Sequence, residues 1–169
     1  AFLKFTAKAI SEIRGVNISD IARITTLNAM KLFKIGRIRK TGEVAYKIRD
    51  SLYLNITNRC TNRCGFCVRF HTSYVKGHNL HLEKEPCSEE VIQAIKDPKA
   101  YKEIVFCGIG EPLLNLQNVL RALTILHAKW GAGIGYHRMT LSTVGILDKI
   151  DERLPHPVEV AVVVQMLRV

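Results

Sequence analysis

Three cysteines share one short segment, Asn58-Arg59-Cys60-Thr61-Asn62-Arg63-Cys64-Gly65-Phe66-Cys67, with the spacing C-x3-C-x2-C. It follows directly on the apolar stretch Leu52-Tyr53-Leu54-Asn55-Ile56, so a strand empties into a loop that must gather three thiols. Iron–sulfur clusters are held by thiolates, usually four of them. Three on one loop hold three irons of a [4Fe–4S] cube and leave the fourth open, and an open position separates a catalytic metal site from a closed structural one. The competing reading is zinc, which prefers paired C-x2-4-C units. No second pair exists here, because Cys87 and Cys107 stand alone. A disulfide framework fits less well, since five cysteines are an odd number and no secretory signal is visible.

The second informative run is Glu103-Ile104-Val105-Phe106-Cys107-Gly108-Ile109-Gly110-Glu111-Pro112. A continuous apolar run closed by glycines reads as a strand buried on both faces that enters a tight turn. Glycine lets backbone approach a ligand closely, and an ionised Glu111 can accept charge-assisted hydrogen bonds from an ammonium group. The plainer reading of Glu111 is a carboxylate favoured at a helix N-terminus.

Around these motifs the pattern alternates strand and helix, the signature of a parallel sheet with helical crossovers. Helical spacing covers residues 2–14 up to a C-cap at Gly15. Ser19-Asp20 starts a second short helix, and Thr25 or Thr26 a third that ends near Phe33. Val44–Ile48 and Ser51–Ile56 read as strands, and a helix opens at Ser88. Strand Ile104–Cys107, helix Leu116–Trp130, strand Tyr136–Leu141, a short helix near Ile146–Arg153 and strand Val158–Val164 follow. Leu116, Val119, Leu120, Leu123 and Trp130 are core by spacing, and Cys107 reads as a small core hydrophobe.

The formal net charge of +10 is concentrated at the start: residues 1–52 carry +7, and Lys31 to Lys40 alone holds five positive charges. A basic stripe can bind nucleic acid. Without interleaved aromatics, a solvated helix end and linker over residues 36–42 is the favoured account. No apolar stretch is long enough to span a bilayer, and unpaired reduced cysteines point to the cytoplasm.

The cysteine spacing with Phe66 before the last thiol, followed one strand later by Gly110-Glu111, resembles the radical S-adenosylmethionine (radical SAM) enzymes. That resemblance implies SAM chelated at the open iron, with Cys60, Cys64 and Cys67 as cluster ligands. It makes Gly108 a cofactor-binding residue, has Gly110 and Glu111 bind the amino group at the methionine end of SAM, and sets Phe66 near adenine. It also implies reductive cleavage of SAM to a 5′-deoxyadenosyl radical and an electron donor such as flavodoxin or ferredoxin.

Within the superfamily, residues 42–107, including Leu52 to Cys64, look like TatD-associated radical SAM proteins. From Gly108 onward the chain is similar to RlmN-type methyltransferases, which methylate adenine C2 in RNA. Gly110-Glu111-Pro112-Leu113-Leu114-Asn115 and Arg138 to Gly145 carry that likeness, and the family's serine at Ser142 contacts SAM. Where that family shows Ser-Leu-His, this chain has Val163-Val164-Gln165. Residues 1–35, above all Ile18 to Ala29, resemble the C-terminal helices of TatD-type hydrolases without any of their metal ligands.

The expected architecture is therefore α/β: a short helical segment (1–35), a basic linker (36–42), and the first four β/α units of a radical SAM partial barrel (43–169). Both ends read as cut, as at the junction of a TatD–radical SAM fusion. The substrate is left unknown; RNA adenine methylation and a non-catalytic binding fragment are the alternatives. Arg69, His71, His78 and His81 fall in a polar stretch, where histidines are usually surface residues.

Overall fold

The computed structural model describes residues 2–37, 41–150 and 158–162. Helix α1 spans Leu3–Arg14 and stops at Gly15, whose φ of 60° is the left-handed conformation that favours glycine at a helix end. Helix α2 is continuous over Ile18–Phe33, where the sequence reading divides it in two. Thr25 does not cap a new helix, because its hydroxyl donates back to the carbonyl of Ile21 at 2.8 Å inside the same helix. The helical segment thus has two helices, not three, among the described residues. Asp20 is buried on α2 and meets Arg23 at 2.9 Å and Lys76 at 3.4 Å, so α2 is tied to the body of the molecule. Of the basic stripe, residues 38–40 lie outside the described residues.

Strands β1 (Ala45–Ile48) and β2 (Ser51–Leu54) form an antiparallel hairpin. A small hairpin of β3 (Tyr74–Val75) and β4 (His78–Asn79) turns at Lys76-Gly77, both at positive φ, as a two-residue hairpin turn requires. Then come α3 (Ser88–Ala94), β5 (Glu103–Phe106), α4 (Leu116–His127), β6 (Met139–Thr143), α5 (Leu147–Ile150) and β7 (Glu159–Val162). The main sheet runs β1-β2-β5-β6-β7, and all its pairings after the first are parallel. This is the expected α/β arrangement, with β1 as an added antiparallel edge.

Alternation along each strand sets the layers. Leu52, Leu54, Ile104, Phe106, Met139 and Leu141 face Val91 of α3 and Val119, Leu123 and Leu126 of α4 in one core. A fully buried Leu or Phe of this kind contributes about 1.5–3 kcal/mol. Tyr53, Val105 and Thr140 are cross-strand partners on the opposite face. There a smaller cluster of Tyr46, Leu80 and Ile109 lies against Tyr53, Val68 and Val75.

Several local expectations are corrected. Trp130 lies beyond the end of α4 and is 77% exposed, so it is not core. Leu120 is only partly buried, whereas Leu116, also partly buried, does pack against the core. Helix α3 does open at Ser88, with Cys87 in the cap position and the Glu90 carboxylate accepting from the Cys87 N–H at 3.0 Å in a capping box. Strand β6 starts at Met139 because Tyr136–Arg138 form a 3-10 turn.

Candidate cluster and cofactor site

Parallel α/β sheets place ligands outside the carboxyl ends of their strands. Here the segments leaving β2, β5 and β6 line one cavity. One wall carries Cys60, Cys64, Phe66, Cys67 and Val68; the other carries Cys107, Gly108, Gly110, Glu111 and Ser142. All the site residues expected from sequence therefore meet. Larger cavities of about 900 Å³ against α1 and α2, and 480 Å³ between α2 and β3–β4, contain no cysteine and lie apart from this chemistry.

The three thiols are free and line the cavity together, yet among the described residues no three His, Cys, Asp or Glu side chains converge closely enough to grip a metal ion. Such a loop closes on its metal, because binding and local folding are coupled. The number and type of the thiols, on one loop that lines one cavity, suit a cluster held by three cysteines.

Hydrogen bonds join the two walls. The Glu111 N–H donates to Arg59 O at 2.7 Å. The Glu111 side chain is 1% exposed and takes three donors: Leu113 N–H at 2.9 Å, Thr143 Oγ1 at 2.6 Å and Val144 N–H at 2.7 Å. It thereby caps the short 3-10 turn Pro112–Asn115 and clamps the end of β6. The helix-terminus reading describes this carboxylate, although it lines the cavity as well.

Arg59 forks onto Glu85 at 2.6 and 2.8 Å and reaches Leu114 O at 2.8 Å, tying the start of the cysteine loop to the turn after Glu111. Thr57 also donates to Glu85. Burial pushes the Glu85 carboxyl up, but the bonds from Arg59 and Thr57 outweigh it and hold it below the usual carboxylate range.

The glycines have a second reason to be glycines. A Cβ on Gly108 would collide with Asn55 Oδ1, and one on Gly110 with the Thr57 carbonyl. Close approach to the segment after β2 therefore demands both residues, independently of any ligand.

The surroundings of three further residues were not legible in the sequence. Cys107 lines the cavity instead of filling the core; burial pushes its thiol up, a hydrogen bond from Ser142 lowers it, and the Glu111 charge raises it. Its backbone carbonyl accepts from Tyr46 Oη at 3.1 Å. Arg69 donates to the carbonyls of Cys60, at 3.2 Å, and Asn62. His78 is buried, not superficial: its Nδ1 meets Glu43 Oε2 at 2.9 Å and its ring lies 5.3 Å from that of Tyr46. His71 and His81 are exposed, as expected.

Comparison with known proteins decides the family. The Radical SAM superfamily model matches residues 54–163, well over half of the chain. The chain belongs to the radical SAM superfamily. Its cofactors are accordingly a [4Fe–4S] cluster and SAM, and its family is one of enzymes. This radical SAM chain is 36% identical over 148 residues to the probable dual-specificity RNA methyltransferase RlmN of Trichormus variabilis, covering 87% of this chain and 40% of that protein. It is 32% identical over 152 residues to the dual-specificity RNA methyltransferase RlmN of Buchnera aphidicola, covering 85% and 38%. The chain thus spans about two fifths of the length of these relatives. A crystal structure of a radical SAM methyltransferase from Sphaerobacter thermophilus superposes with a TM-score of 0.51 at 26% identity, covering 70% of this chain and 36% of that one. No helix among the described residues is long and apolar enough to cross a membrane.

Proposed function

We propose that this chain is the cluster- and SAM-binding part of an enzyme that reductively cleaves SAM to methionine and a 5′-deoxyadenosyl radical. The observation that carries the proposal is the single cavity with three free thiols on one wall and the Gly108–Glu111 turn with Ser142 on the other. Cys60, Cys64 and Cys67 hold the cluster. Gly108, Gly110, Glu111 and Ser142 form the wall against which SAM is oriented, and Phe66, which lines the cavity and is 66% exposed, covers adenine in this reading. The cofactors supply the difficult chemistry; the protein binds, orients and shields them. An electron donor such as flavodoxin or ferredoxin supplies the electron, in the cytoplasm, where thiols stay reduced. Anaerobic reconstitution followed by dithionite and SAM tests this: 5′-deoxyadenosine should accumulate. A protein that binds the cluster and SAM yet yields none would refute the proposal.

Methyl transfer to RNA is the second reading of the same site. Relatives named as RNA methyltransferases favour it. Residues 163–165, where this chain departs from that family's pattern, lie outside the described residues.

We also propose that residues 1–35 derive from a TatD-type hydrolase and act only in packing. Metal-assisted hydrolysis needs clustered ligands with an open position. The segment has two carboxylates, Glu12 on α1 and Asp20 on α2, and Asp20 is already committed to Arg23 and Lys76. Purified chain should show no metal-dependent nuclease activity; activity lost on Asp20→Ala would contradict this.

A further inference from the structure

We propose that Arg69 is a positioning residue for the cluster: its guanidinium closes the cysteine loop into a ring, and its positive charge raises the reduction potential of the group that loop holds. The inference rests on the reading of Cys60, Cys64 and Cys67 as ligands. Arg69 stands two residues after the last thiol, in the 3-10 turn Val68–Phe70. Its Nη1 donates to the carbonyl of Cys60, the first thiol residue, at 3.2 Å, and its Nη2 donates to Asn62 O. The end of the loop is thereby fastened to its beginning. A shorter link inside it runs from Cys67 N–H to Cys64 O at 2.9 Å.

The charge balance around Arg69 is unusual. Arg59, at the other end of the loop, is neutralised by Glu85. Among the described residues no carboxylate lies in ion-pair reach of Arg69, whose Nε is buried without an acceptor. Its guanidinium lies 4.8 Å from the Phe70 ring centroid, a contact that suits a cation but does not neutralise it. A half-buried cation costs free energy unless it is compensated. The negative charge nearest in the chain is that which Cys60, Cys64 and Cys67 would carry as thiolates on the loop that Arg69 fastens. Cluster potentials are set by net charge, hydrogen bonds to sulfur and solvent exposure. A fixed positive charge stabilises the reduced, more negative cluster and so raises its potential.

Two substitutions separate charge from anchoring. Lys keeps the charge without the guanidinium fork; Gln keeps a donor, is too short for both carbonyls, and loses the charge. In reconstituted protein, Arg69→Gln should lower the reduced-to-oxidised ratio at a fixed poise about tenfold, ~59 mV for a one-electron couple, while Arg69→Lys stays close to wild type. In metal-free protein, amides of residues 60–70 should exchange with deuterium several-fold faster in both variants, with the rest of the chain unchanged. Unchanged exchange in both would overturn the ring closure. An Arg69→Gln cluster with wild-type potential would overturn the electrostatic role. Wild-type protein that assembles no cluster would refute the ligand reading, and the exchange measurement would still decide what Arg69 does to the loop.

Discussion

Replacing Cys60, Cys64 and Cys67 together by alanine is expected to abolish bound iron and acid-labile sulfide in anaerobically reconstituted protein, from about four irons per chain in the wild type. The fold should survive the change. Only Cys64 is buried, at 7% exposure, while the other two thiols are half-buried and none is in a disulfide. The Arg59–Glu85 fork and the bond from Glu111 N–H to Arg59 O anchor the start of the loop without any thiol. Far-UV circular dichroism of the metal-free triple variant should therefore match that of metal-free wild type. Iron analysis decides the main claim: a full complement of iron and sulfide in the triple variant would show that the cluster sits elsewhere. Tight zinc without sulfide in the wild type would return the loop to a structural role. Changing Cys87 or Cys107 serves as the control. Cys87 is committed to capping α3, and Cys107 lies on the opposite wall, so neither should reduce iron content.

Patterns that depend on neighbouring residues were legible in the sequence; contacts between distant segments were not. The alternation of apolar runs and helical spacing anticipated the parallel strands β2, β5, β6 and β7 and the helices between them; β2, β5 and β6 each bury a face against the helices. Gly15 was readable as a helix stop, since left-handed backbone at that position is a local requirement. Thr25 and Thr26 suggest a boundary inside the continuous helix α2 because they are the same residue types as a cap. Only the observed bond from Thr25 to Ile21 shows that the hydroxyl is satisfied within the helix. Trp130 continued the apolar spacing of α4, but the helix ends at His127, so the periodicity no longer places that side chain. At the site, the cysteine spacing and the Gly–Glu run are contiguous signals and were visible. The partners of Glu85, His78 and Cys107 come from separate segments, and no spacing rule links Arg59 to Leu114 or Ser142 to Cys107.

The Glu111 carboxylate is the point at which those distant contacts meet, and Glu111→Gln should have a larger effect on folding than a residue devoted to ligand alone. One carboxylate oxygen accepts from Leu113 N–H and Thr143 Oγ1, the other from Val144 N–H, in a space that is 1% exposed. A glutamine must turn its NH2 toward one of these sets, which places donor against donor with no water to relieve it. Losing a buried bond to a charged acceptor and leaving a donor unsatisfied costs about 2–4 kcal/mol. For a chain of this size that is a fall in Tm of about 10 °C. The same substitution should weaken SAM binding, because the clamp fixes Gly110 against Thr57 and holds the end of β6, beside Ser142, in the cavity wall. Thr143→Val removes one of the three donors without introducing another, so its loss of Tm should be smaller and its SAM affinity closer to wild type. If Glu111→Gln leaves Tm unchanged and lowers only SAM affinity, the carboxylate serves the ligand and the clamp contributes nothing to the fold. If Tm falls while SAM affinity, measured well below the transition, stays at the wild-type value, the carboxylate is purely structural and the methionine end of SAM must be held by other groups.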